Sequence, residues 1–135
     1  MKDCLFCKIG NKKIKSFILK DTKFSLAFLD INPLTPGHTL VIPKKHRKSF
    51  SELKNNEFVD FFKIIKNLMN LLRKKLKVNS FTLGVNDGKE AGQTIEHLHF
   101  HIIPRYPNDG GKSIHSIVNF PPKEKLEEIY NKLKK

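Results

Sequence analysis

Three histidines alternate with apolar residues in the stretch Gln93-Thr94-Ile95-Glu96-His97-Leu98-His99-Phe100-His101-Ile102-Ile103-Pro104. In an extended chain successive side chains leave opposite faces, so this spacing predicts His97, His99 and His101 on one wall and Leu98, Phe100 and Ile102 in a core. A lone strand histidine is ordinarily a satisfied or solvated residue; three at strict period two call for another explanation. Two chemistries are open: alternating neutral imidazoles can share one zinc ion, or they can line a phosphate site. The adjoining Gly92-Gln93-Thr94 favours phosphate, because backbone N–H groups and side-chain donors next to a glycine suit an anion better than a cation.

A second group of reactive side chains lies at the N-terminus. Cys4 and Cys7, three positions apart, can supply half of a tetrahedral zinc site and then need two further ligands. A redox Cys-x-x-Cys is the competing reading, and no thioredoxin-like pattern surrounds it. His38 leads a strand of its own. Read alone, Asp30 is a loop-capping aspartate, and Leu5, Phe6, Ile9, Phe28 and Ile31 are core residues.

The elements that must position these groups follow from periodicity and turn signals. Phe17 to Leu19 and Phe24 to Leu29 read as a hairpin across Lys20-Asp21-Thr22-Lys23. The prolines and glycine of Asn32-Pro33-Leu34-Thr35-Pro36-Gly37 interrupt any ladder before a third strand, His38 to Ile42, ended by Pro43. From Asn55 to Leu76, Phe58, Phe61, Phe62, Ile65, Leu68, Met69, Leu72 and Leu76 recur at steps of three and four, which predicts one long helix with a buried stripe. Ile64 and Leu71 fall off that stripe and are expected to face a partner subunit or solvent. Ser80 to Val85 and Leu98 to Ile103 read as antiparallel neighbours around Asn86 to Gly92. Pro121 and Pro122 start a C-terminal helix carrying Leu126, Ile129, Tyr130 and Leu133. The expected fold is α+β: an antiparallel sheet of about five strands with one long and one C-terminal helix, forming a single domain over 1–135.

Bulk properties narrow the class. The chain has 135 residues and is 39% hydrophobic, enough for a core without disulfides. No apolar run reaches membrane-spanning length, and Met1-Lys2-Asp3-Cys4 lacks the apolar stretch of a secretion signal, so a soluble cytoplasmic protein is expected. The net charge of +13 favours anionic ligands. The lysines are scattered and no aromatic residues interleave with them, so a zinc-stabilised nucleic-acid binder ranks last among the readings.

The segment His97 to Ile103 resembles the signature of the histidine-triad superfamily, His-φ-His-φ-His-φ-φ with φ apolar. The resemblance extends over Cys4 to Ile9, Ala27 to Ile31, Pro36 to His46 and Asn86 to Pro104, and beyond about Arg105 no pattern can be placed. It implies transfer or hydrolysis at a nucleoside α-phosphate through a covalent nucleotidyl-histidine, with His99 as nucleophile. The other ring nitrogen of His99 would bond a backbone carbonyl on the neighbouring strand. The resemblance places His101 at the α-phosphate, Gln93 and Thr94 on its oxygens or bridging atom, Asn86 nearby, and His38 beside the triad to orient it. It assigns Asp30 to the ribose hydroxyls and Leu5, Phe6, Ile9, Phe28 and Ile31 to the base. It also completes a structural zinc site from Cys4, Cys7, His46 and His97, so that His97 serves both groups.

The implied substrate is a purine nucleotide containing AMP, a phosphoramidate or related adenylate from which AMP is released. Dinucleoside-polyphosphate hydrolysis comes second, and a nucleotide-sensing regulator or scaffold is a different class. The Ile102-Ile103-Pro104-Arg105 ending resembles the bacterial and dinucleoside-polyphosphate branch. The absence of tryptophan removes a C-terminal feature of the phosphoramidate-cleaving branch. Glu96 stands where many relatives carry an apolar or aromatic residue. A homodimer is the family expectation.

Overall fold

The computed structural model describes residues 3–134. Its elements run in the order α1 (Leu5–Gly10), β1 (Ile18–Asp21), β2 (Ser25–Leu29), β3 (Thr39–Pro43), α2 (Asn55–Leu76), β4 (Ser80–Gly84), β5 (Phe100–Arg105) and α3 (Leu126–Lys134), with three short 3-10 turns between them. The strands form one antiparallel sheet in the order β1-β2-β3-β5-β4, an α+β arrangement as expected.

Alternation along the strands divides the sheet into two faces. On one, Ala27, Val41, Leu98, Phe100 and Ile102 pack against Phe61, Ile64, Ile65, Leu68 and Leu72 of α2. On the other, Leu26, Phe28, Leu40 and Ile42 pack against Phe6 and Ile9 of α1. Each fully buried side chain of this size contributes about 1.5–3 kcal/mol, so the α2 face is the main anchor of the sheet. Removing its centre, Leu68→Ala, would cost about 2–5 kcal/mol. The register Phe28↔Leu40 and Leu40↔His101 sets these three residues side by side on the α1 face. A histidine wall is thereby continued by an apolar one.

The long helix occupies the expected residues, but its buried stripe is rotated: Phe58, Phe62 and Leu76, expected within it, are 46%, 40% and 39% exposed. Ile64, expected to face a partner subunit or solvent, is 1% exposed within the core, whereas Leu71 is 36% exposed. The sheet beneath the helix takes in positions 61, 64, 65, 68 and 72, a face turned toward Ile64 and away from Phe58 and Phe62. The first turn is fastened by Glu57, whose Oε1 accepts the Lys54 N–H at 3.3 Å, and Lys77 stops the helix in the left-handed conformation (φ 57).

Two further differences concern the chain ends. The sequence reading provides no helix before β1, yet Leu5–Gly10 forms one, with the Cys4 sulfur accepting the Cys7 N–H at its start. Six residues are too few for a periodic signal, and the cysteines dominate their reading. The C-terminal helix begins at Leu126, not at the prolines. Most of its apolar residues and those before it stand in the open: Ile117, Val118, Phe120, Leu126 and Leu133 are all exposed, Phe120 by 88%, while Ile129 is half-buried. No helix among the described residues is long and apolar enough to cross a membrane.

Candidate active site

The histidine run enters β5 from an irregular stretch: His97, Leu98 and His99 precede the first ladder residue, Phe100. Alternation nevertheless holds. Leu98, Phe100 and Ile102 lie in the α2 core, while the His99 ring is 4.9 Å from Phe6 and 5.3 Å from His101 on the other face. Each imidazole is then fixed by a different partner.

The His97 ring is fully buried and its Nε2 lies 2.8 Å from the Pro43 carbonyl. A carbonyl only accepts, so Nε2 carries the proton and Nδ1 presents a lone pair. That lone pair faces the Cys4 sulfur at 3.3 Å and the Cys7 sulfur at 3.5 Å. Nδ1 of His46 is 3.3 Å from Cys7. The four donor atoms of Cys4, Cys7, His46 and His97 all lie within 4.8 Å of one another. Two sulfurs and two imidazole nitrogens converging at these separations suit tetrahedral zinc, for which Zn–S is about 2.3 Å and Zn–N about 2.0 Å. The residues therefore fit the metal. Burial pushes the Cys7 thiol up and the His97 imidazole down to about 4.

His99 is held by the same logic. Its Nδ1 is 2.8 Å from the His97 carbonyl, so Nδ1 carries the proton and Nε2 is left as a free lone pair. The expected hydrogen bond is present, but its acceptor is two residues upstream in the chain and not on the neighbouring strand. The irregular backbone before β5 folds that carbonyl under the ring.

At the far end His101 pairs with His38, the two rings meeting at His38 Nε2 and His101 Nδ1, 2.9 Å apart. Nδ1 of His38 accepts the Leu34 N–H at 3.1 Å, so Nε2 of His38 is the donor. His101 therefore accepts at Nδ1 and carries its own proton on Nε2. Burial pushes His101 down to about 4, reinforced by His99 and His38 and opposed by Asp30. Burial likewise lowers His38, opposed by Asp30, whose Oδ2 lies 3.6 Å from its Nε2. Both are neutral near pH 7. Gly37 delivers His38 from the loop at φ +90, a backbone conformation strained for any residue with a Cβ, so glycine is favoured there.

His99 and His101 open onto a cleft of about 260 Å³. Phe6, Ile9 and Phe28 form its buried floor, Leu5 and Ile31 stand exposed at its mouth, and Asp30 lies at its edge. These expected residues are thus brought together. Leu40 and Ile95 also line the cleft and were not singled out. Alternation could have found both, since Ile95 is two residues before His97 and Leu40 shares the His101 row.

Three expected phosphate-side residues lie elsewhere. Gln93 does not point into the cleft: its carbonyl oxygen accepts the Gly88 N–H at 2.9 Å and its NH2 donates to the carbonyls of Lys48 and Ile95, each at 3.1 Å. Backbone groups of the 88–95 loop and of Lys48 take up its whole side chain. Thr94 lines an adjoining cavity of about 670 Å³ with Cys4, His46, Lys48 and Glu96, which shares Leu5 and Ile95 with the cleft. Asn86 is exposed and lines neither. Glu96 sits at the surface 3.5 Å from the Lys48 ammonium.

Comparison with known proteins gives a consistent result. The model of the HIT domain matches residues 11–108. The chain is 47% identical over 107 residues to an uncharacterized HIT-like protein of Methanocaldococcus jannaschii, covering 79% of this chain and 82% of that one. It is 38% identical over 134 residues to the adenosine 5'-monophosphoramidase of Saccharomyces cerevisiae, covering 96% and 80%. A HIT family protein of Bacillus subtilis superposes with a TM-score of 0.84 at 33% identity, over 98% of this chain and 93% of that one. A Zn-bound histidine triad family protein of Mycobacterium smegmatis gives 0.73 at 31% identity, over 80% and 78%. With the family model spanning most of its length and the histidine wall in place, the chain belongs to the HIT domain family.

Proposed function

We propose that this protein hydrolyses a purine nucleoside phosphoramidate or related adenylate, releasing AMP through a covalent intermediate on His99. The observation that carries the reading is the His99 ring itself, protonated at Nδ1 by its bond to the His97 carbonyl and offering a bare Nε2 at the cleft. Its chemical support is the name of the yeast relative, an adenosine 5'-monophosphoramidase.

The base enters between Phe6, Ile9 and Phe28, and Asp30 accepts from the ribose hydroxyls. The lone pair of His99 Nε2 forms the N–P bond as the P–N bond to the amine breaks, the amine leaving with a proton from solvent. Water then displaces the histidine, giving AMP and restoring the lone pair. His101 donates its Nε2–H to a phosphoryl oxygen as charge develops there, and His38 keeps that proton on the correct nitrogen. Cys4, Cys7, His46 and His97 hold a structural zinc, which ties α1 to the segment carrying the nucleophile. In solution two copies associate, covering the exposed apolar residues that precede and form α3.

Steady-state assays with adenosine phosphoramidate test the reading. His99→Ala should lower kcat by at least about 10³-fold while AMP still binds. Full activity in that variant would remove His99 from the chemistry. Dinucleoside polyphosphates, assayed in parallel, decide the substrate class.

A further inference from the structure

His97, Leu98 and His99 have no ladder to hold them, so their placement depends on individual bonds. The most consequential belong to one peptide unit, that between His97 and Leu98. Its carbonyl accepts from His99 Nδ1 at 2.8 Å, and its N–H donates to the Arg47 carbonyl at 2.6 Å. The two groups share a rigid plane, so tilting the plane away from Arg47 also turns the carbonyl away from His99. Donation through the N–H also polarises the carbonyl and makes it a better acceptor.

Arg47 itself lies in no helix or strand. Its place is set by its own guanidinium, which grips Glu57 through Nε at 3.1 Å and Nη2 at 2.7 Å. Glu57 is 4% exposed and sits in the first turn of α2, where it also accepts the Lys54 N–H. The fork and the backbone N–H satisfy the carboxylate, as a buried charge requires. A continuous path thus runs from the most heavily anchored helix through Glu57 and Arg47 to the peptide that orients the His99 ring. Neither Arg47 nor Glu57 lines the cleft.

On the reading of His99 as nucleophile, we propose that Arg47, clamped by Glu57, is a positioning residue that holds the 97–98 peptide plane and thereby keeps the bare nitrogen of His99 directed at the substrate. It touches no substrate, so its loss should act on turnover and leave binding alone.

The test combines ring-nitrogen NMR of the full chain without substrate with kinetics on adenosine phosphoramidate. In the wild type His99 should show one neutral tautomer, protonated at Nδ1. Arg47→Met should introduce the Nε2-protonated form and lower kcat by about 10–100-fold, with KM within about twofold. Arg47→Lys, which keeps the charge and loses the fork, should fall between. Should Arg47→Met fail to fold, Glu57→Gln keeps an acceptor without the charge and should shift the tautomer in the same direction by less. Leu72→Ala serves as a control that lowers stability at the other end of α2 without changing the His99 tautomer. An unchanged tautomer in both Arg47→Met and Glu57→Gln, or a kcat loss no larger than that of Leu72→Ala, would overturn the proposal. A wild type that turns over no phosphoramidate would instead refute the functional reading, and the NMR result would still decide the positioning role.

Discussion

The two ends of the histidine run use the same side chain for different purposes. At His97 a fully buried imidazole turns its lone pair to two sulfurs, beside a second histidine, and none of these four residues lines the cleft. At His101 a half-buried imidazole turns its proton into the cleft, and its other nitrogen is occupied by His38. His99 lies between, bonded through Nδ1 to the His97 end and packed against His101. Residue type therefore says little about role here; the partner of the second ring nitrogen decides it. One end fixes the backbone and the other supplies a donor. Damage at the first should appear mainly as lost stability and damage at the second mainly as lost turnover.

The largest effect is expected from breaking the metal end. Chelation or Cys7→Ala should lower the unfolding free energy by about 4 kcal/mol if zinc is normally present at about 1,000 times its Kd. Thermal melts with and without chelator check this, and coincident midpoints would remove the metal from the stability of the fold. At the other end, His38→Ala leaves His101 without its donor and frees its tautomer. A loss of about 10–100-fold in kcat is expected, with a loss of stability smaller than that at the metal end. A large drop in midpoint with unchanged kcat would erase the proposed difference between the ends.

Acidification probes both ends, since burial holds His97 as well as His101 down to about 4, and only the part of the decline lost in His38→Gln belongs to the second. His101 has an ordinary value of 6.5 and is held at about 4 in the fold by burial, and His38 is lowered by the same cause. Unfolding exposes both to their ordinary values, so the unfolded chain binds more protons between them. The stability contributed by neutral rings is full above pH 6.5 and is lost as pH falls toward 4. Urea titrations across that window should show the decline, and His38→Gln should flatten it. The smallest change is expected from truncation after Asn119, which removes exposed α3. The midpoint of the remaining body should move by less than about 1 kcal/mol in stability terms, while sedimentation should show weaker self-association. An unaltered association state would place the contact between copies elsewhere.

Much of this was legible in the residues. Period two at Leu98, Phe100 and Ile102 announced which face was core, and the long helix announced itself through Phe61, Ile65, Leu68 and Leu72. The cysteine spacing pointed to a metal half-site whose other half only the family resemblance supplied. What stayed hidden depends on three-dimensional accounting of backbone groups. Gln93 reads as a phosphate ligand until its NH2 is seen to be taken by the carbonyls of Lys48 and Ile95. Arg47 and Glu57 read as two charges among many, because ten residues of sequence separate a contact that a loop and a helix start bring together. Ile64 reads as off the stripe because Phe58, Phe62 and Leu76 draw the expected face to one side, whereas in the fold those three are exposed and Ile64 is buried.

The central claim is that His99 Nε2 becomes bonded to phosphorus. Rapid quenching of the enzyme during its first turnover of adenosine phosphoramidate, followed by peptide mapping by mass spectrometry, tests it directly. The expected result is an adenylyl group on His99, absent from His99→Ala. An adenylyl group on His101 or on any other residue, or turnover through a quenched state that carries none, would contradict it.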